Sequence, residues 1–122
     1  MGTDESATTT GVEGYVDIYL LPVPREHLEA YRRQASTFGT VVRQHGALGY
    51  REFVGDDLAE GFHAKDGEVL TAAVAEFQSR AHRDDVMSKA MKDPRVTELE
   101  EGEQIADMSK MRYGGFQTFV RA

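Results

Sequence analysis

Apolar and polar residues change period along this chain, and each change marks an element. Over residues 15–21, Tyr-Val-Asp-Ile-Tyr-Leu-Leu, β-branched and aromatic residues dominate and predict a first strand. Pro22-Val23-Pro24 reads as its end and as the entry to a helix, with Pro24 in the first turn and Glu26 at the positive end of the dipole. Leu28, Tyr31, Ala35, Phe38 and Val42 recur at three- and four-residue spacing, which predicts a helix over 25–45 that Gly46 stops. Alternation returns over 47–54, with Leu48, Tyr50 and Val54 on one face and Arg51 and Phe53 on the other. Gly55-Asp56-Asp57 turns the chain, a polar loop closes on Asp66-Gly67, and Glu68 to Phe77 predicts a third strand. Ser79 is placed as the N-cap of a second helix that runs to Asp93 and is stopped by Pro94. Its apolar stripe is Val86, Met87, Ala90 and Met91. Residues 95–107 are acidic, anchored by Val96, Leu99 and Ile105, and predict a short helix or a covering loop. Lys110 to Arg121 is the expected closing strand, with Tyr113-Gly114-Gly115-Phe116 at its centre.

The order βαββαβ is the ferredoxin-like pattern of the α+β class: a four-stranded antiparallel sheet with both helices on one face. One domain, 14–122, fits a chain of 122 residues, with residues 1–13 as a disordered polar tail. The pattern leaves a difficulty. Val16, Ile18 and Leu20 lie on one face of the first strand, and Tyr15, Tyr19 and Leu21 on the other. The third strand sets Leu70 and Val74 against Val69, Ala73 and Phe77. Both faces call for burial and the helices cover one. A homodimer packed sheet to sheet would cover the second face and the exposed edge strand.

Charge narrows the partners. The formal net charge is −7, with 14 Lys and Arg scattered among 21 acids, so no basic face is available for nucleic acid. No run approaches the ~20 apolar residues that span a bilayer, and residues 1–13 do not read as a secretory signal. There are no cysteines, hence no disulfide and no thiolate chemistry. A cytoplasmic location is expected.

Several segments together resemble the YbaA-like family of short bacterial proteins of unknown function. They are Tyr15-Val16-Asp17, Pro22-Val23-Pro24, His45-Gly46-Ala47, Gly55-Asp56-Asp57, residues 79–84, Asp93-Pro94-Arg95 and Tyr113-Gly114-Gly115-Phe116. The resemblance implies a dimeric α+β barrel, a fold also used by antibiotic-biosynthesis monooxygenases, haem-degrading enzymes and small polyketide cyclases. It brings no catalytic residues. The chain departs from the family's pattern at Ile18, in having no Trp, and in the stretch before Tyr113.

Candidate chemistry rests on a few side chains. Asp17 is a carboxylate in a central strand and must be paired or line a wet cavity. Arg51 or Arg112 on a neighbouring strand is the expected partner, and a catalytic acid is the alternative reading. His63, in the loop before the third strand, is the candidate general base. Tyr19, Tyr50, Arg51, His82, Tyr113 and Gly115 are the candidate ligand contacts. His45 at a helix C-terminus reads as a cap, and His27 as a surface residue. Gly114-Gly115 leads into no helix and is no phosphate loop; a bulge, a dimer seam or a ligand over the backbone would each explain it. No helix carries a metal-binding His pair, so no metal and no cofactor is expected. The function these features suggest is a cofactor-independent small-molecule enzyme, oxygenase- or cyclase-like, acting on an aromatic or polyketide-like substrate between sheet and helices. The rival is a non-catalytic homodimer that binds a metabolite or protein. Haem binding through His63 or His82 is a third reading.

Overall fold

The structure is a computed structural model and describes residues 12–62 and 64–122. The expectations placed on His63 and on the tail up to residue 11 lie outside the described residues. The predicted elements are present in the predicted order. They are β1 (Tyr15–Pro24), a 3-10 turn (Arg25–His27), α1 (Leu28–Gln44), β2 (Gly49–Val54), β3 (Glu68–Phe77), α2 (Arg80–Ala90), α3 (Pro94–Glu101), a second 3-10 turn (Met108–Lys110) and β4 (Arg112–Gln117). Among the described residues the strands form one antiparallel sheet in the order β2-β3-β1-β4.

Several boundaries differ from the sequence expectation: the first helix opens with the 3-10 turn and the second strand starts at Gly49 rather than Ala47. β1 does not end at Pro22, because β3 runs beside it as far as Pro24, opposite Glu68. β4 pairs only up to Leu20, so the prolines lie where β1 has become an edge strand and a missing N–H is tolerated. Pro94 starts a helix rather than stopping one. α2 already ends at Ala90, and Asp93 caps α3 by accepting from the Arg95 backbone N–H at 3.0 Å, with Pro94 in the first turn. The closing strand is shorter than expected at both ends: residues 108–110 wind into a 3-10 turn before it, and its pairing stops at Gln117, opposite Tyr15, the first residue of β1.

Helices cover the sheet face that carries Tyr15, Asp17, Tyr19, Leu21 and Val23 of β1 and Val69, Thr71, Ala73, Ala75 and Phe77 of β3. Nine of these ten side chains are buried, and Tyr19 is half-buried. Gly46, at φ +122°, ends α1 and turns the chain back toward β2. Two apolar clusters result. One joins Tyr15, Val41, Val42, Phe77, Val86, Ala90 and Val96; the other joins Leu21, Val23, Val69 and Ala106. The opposite sheet face carries Val16, Ile18, Leu20, Leu70, Ala72 and Val74, flanked by the exposed rings of Phe53 and Phe116.

Candidate functional site

A cavity of about 640 Å³ opens between the sheet and the helices and touches both clusters. The sheet floor is Tyr19, Leu21, Tyr50, Glu52 and Ala73, and α1 supplies Tyr31, Ala35 and Phe38. Ala35 and Ala73 are small where larger side chains would fill the space. The third wall is the acidic segment that follows α2. Val96 and Ile105 are buried and anchor it, while Leu99, Met91 and Met108 face the cavity. Two side chains near the start of α1 pin this wall. The His27 Nδ1 lies 3.1 Å from the Ile105 carbonyl, and the Gln34 amide donates to the Glu103 carbonyl at 3.4 Å.

Glu52 is the carboxylate set into the inner wall. The Tyr31 hydroxyl donates to its Oε1 at 2.7 Å, and the Tyr50 hydroxyl donates to its Oε2. Tyr50 is fixed in turn. Its ring packs edge-on against Phe38 at 5.8 Å and lies over Gly39, where a Cβ would stand 2.5 Å from the ring. Burial pushes both hydroxyls well above the ordinary tyrosine range, and the Glu52 charge pushes them further. Both tyrosines therefore stay protonated and act as donors. The same residues also form the back of a separate groove of about 540 Å³ along β2 and α1, lined by Arg32, Arg43, Arg51 and Phe53.

The structure brings some of the sequence candidates together and separates others. Tyr19, Tyr50 and Tyr113 line the cavity, with the Tyr19 and Tyr113 rings stacked at 5.7 Å. Asp17 is ion-paired, but its partner is Arg83 of α2 at 2.5 Å, not Arg51 or Arg112. Register explains the difference. Arg112 opposes Leu20 and Arg51 opposes Val74, which puts both on the open face, whereas Asp17 points at the helices. Asp17 is 2% exposed and stands behind Tyr19, whose hydroxyl donates to it at 3.4 Å, rather than at the cavity wall. Burial raises the Asp17 carboxyl above its ordinary value, against the pull of Arg83. Arg51 stacks on Phe53 in the outer groove.

His82 is turned away from the cavity. Its Nδ1 accepts from the Gln78 backbone N–H at 2.9 Å, and its ring packs edge-on against Phe77. Gly115 lies beneath the Tyr15 ring of the same chain. His45 reaches across to Asp93 at 3.0 Å and ties the end of α1 to the start of α3. Among the described residues no group of three His, Asp or Glu side chains is placed to hold a metal.

Glu52 and its pairing with Tyr31 were missed at the sequence level. The signal was present. Period-two alternation sets Glu52 on the row of Tyr50 and Val54, an acid among helix-facing residues, just as it sets Asp17 beside Tyr15 and Tyr19.

This architecture is that of the ferredoxin-like α+β barrel proteins, here with an interior cavity roofed by helices and floored by the sheet. Residues 14–108 match the family described as protein of unknown function (DUF1428), and the chain belongs to that family. The uncharacterized protein YbaA of Escherichia coli strain K12 is 30% identical over 114 residues, covering 87% of this chain and 97% of YbaA. Solved structures share the fold at lower identity. A dimeric ferredoxin-like protein of unknown function from Thermobifida fusca superposes with a TM-score of 0.57 at 14% identity, over 87% of this chain and 92% of that one. A mutant form of SnoaB, a cofactor-independent oxygenase from Streptomyces nogalater, gives 0.51 at 18% identity, over 90% and 97%. No helix of the described residues is long and apolar enough to cross a membrane.

Proposed function

We propose that the protein is a homodimeric, cofactor-independent enzyme that binds a small molecule with an apolar body between sheet and helices. The cavity carries this reading: about 640 Å³, walled by aromatic and methionine side chains, with one carboxylate on its inner wall held by two hydroxyls. Small-molecule sites typically have volumes of roughly 300–1,000 Å³ and combine apolar walls with a few placed polar groups. Glu52 is the proton acceptor in this reading. Its oxygens accept one hydroxyl each, and a carboxylate offers about four lone-pair sites, so capacity remains for a substrate proton. Transfer of that proton leaves the electron pair on the substrate. Reaction with dioxygen and ring closure onto an internal carbonyl both begin from such an anion. The fold analogy with the Streptomyces nogalater oxygenase supports the reaction class and transfers no residue role.

The apolar outer face of the sheet supports the dimer, as does the dimeric state named for the Thermobifida fusca protein. Sedimentation at micromolar concentration should give dimer mass, and Ile18→Glu on that face should give monomer. A parent chain that sediments as monomer removes the dimer from the proposal.

The site is tested with compounds that raise the melting temperature of the parent but not of Ala73→Phe, whose side chain would fill the cavity. Such a compound, incubated in D2O, should take up deuterium with the parent and not with Glu52→Gln. If no stabilising compound is rejected by Ala73→Phe, the site is wrong. Binding without exchange would leave a non-catalytic ligand-binding dimer. The adaptable wall of Met87, Met91, Met108 and Met111 suits that second reading.

A further inference from the structure

The ligand's charge can be read from the same cavity, and this step rests on the reading just given. The cavity is lined by three glutamates, Glu52, Glu100 and Glu103, and among the described residues by no Lys, Arg or His. Glu100 and Glu103 are exposed at the mouth, while Glu52 is set into the wall. None of the ion pairs among the described residues includes Glu52. Arg32, Arg43 and Arg51 line the neighbouring groove, which Glu52 borders as well, and none of them pairs with it. Glu52 is therefore satisfied in hydrogen bonds but not in charge.

Aromatic rings complete the environment. Tyr19, Tyr31, Tyr50, Tyr113 and Phe38 all line this space. Aromatic faces attract cations through the ring quadrupole, most strongly where water is excluded. The carboxylates do not converge as a metal cluster, so a compact divalent ion finds no coordination shell. A diffuse positive charge on an apolar body meets every wall favourably: rings and methionines around the body, Glu52 opposite the charge. We infer that the cavity selects a cationic organic molecule, a protonated or quaternary amine with an apolar or aromatic body, and disfavours carboxylates and phosphates.

Three probes of matched shape decide this: phenylbutylammonium, phenylbutanol and phenylbutanoate, titrated calorimetrically into the full chain at pH 7. The ammonium should bind about tenfold or more tighter than the alcohol, and the carboxylate should bind most weakly. In Glu52→Gln the advantage of the ammonium should shrink to about twofold while the alcohol still binds, which also shows that the variant is folded. Equal affinity for ammonium and alcohol would overturn charge selection and leave the cavity as a binding site. So would an ammonium advantage that survives Glu52→Gln. Tighter binding of the carboxylate would overturn it as well. Failure of all three to bind at millimolar concentration would overturn the binding site itself, and this inference with it.

Discussion

Gly115→Ala tests how β4 is seated. An added Cβ would stand 2.8 Å from Cε2 and Cζ of Tyr15 and closer still to its hydroxyl. Carbon atoms rest at about 3.5–4.0 Å, so at least ~0.7 Å must be found by moving something. The Tyr15 ring has little room to give. It is 7% exposed, part of the main core cluster, and the Arg83 guanidinium lies over it at 5.1 Å. The strand must move instead, and β4 is an edge strand that pairs with β1 alone. Overpacking of this kind costs about 1–3 kcal/mol. For a chain of this size that lowers the melting temperature by about 3–5 °C per kcal/mol. Melts should be run at one fixed concentration, since assembly would shift them. The cause is isolated in a Tyr15→Leu background, where the ring is gone and the added methyl should cost about 0.5 kcal/mol or less. A single mutant that melts with the parent would refute the reasoning. So would an equal cost in both backgrounds, which would place the clash elsewhere.

Two further predictions concern buried charge and pH. Asp17→Asn should melt at or slightly above the parent at pH 7, because burial already favours the uncharged form and Arg83 keeps Asp84 at 2.8 Å. With the folded pKa raised, the neutral form's advantage is fully present below the ordinary carboxylate value and lost as pH rises; parent and mutant should converge in acid, and a loss of about 3 kcal/mol, typical of a broken buried pair, would refute this. Asp93 is depressed by the Arg95 side chain, by His45 and by the Arg95 backbone N–H, so its contribution is present above the unfolded value of 3.8 and lost as pH falls below it. Asp93→Asn should therefore lose less stability than the parent in melts taken from pH 5 to pH 3, and identical acid limbs would contradict the pairing.

Much of the fold was legible because the signals were local. The run of valines and alanines over 68–77 marked β3 at its observed bounds, and Ser79 was placed correctly as a cap that accepts from the His82 N–H at 3.1 Å. Alternation assigned both faces of β1 and β3, so the two-sided apolar sheet was visible in the residue pattern itself. The prolines misled because their meaning depends on neighbours. Pro22 can sit in a strand once no further strand flanks it, and Pro94 can open a helix once Asp93 is there to cap it. Whether residues 95–107 form a wall of the cavity could not be read from a local pattern. Their seat depends on His27 and Gln34, which are separated from them in the chain by β2, β3 and α2.

Asp17 and Glu52 follow one rule. An acid that interrupts a helix-facing row of β residues must find its partners among the helices or on its own row, because strand neighbours on the opposite face point away. Asp17 found Arg83 on α2; Glu52 found Tyr31 on α1 and Tyr50 on its own strand. The difference in partner sets the difference in use. A guanidinium cancels the charge of Asp17 and leaves it behind Tyr19, out of the cavity. Two hydroxyls satisfy the geometry of Glu52 without cancelling its charge. The uncancelled charge faces a space large enough for a ligand, so under the function we propose Glu52, rather than the more deeply buried Asp17, is the acid that meets a bound molecule.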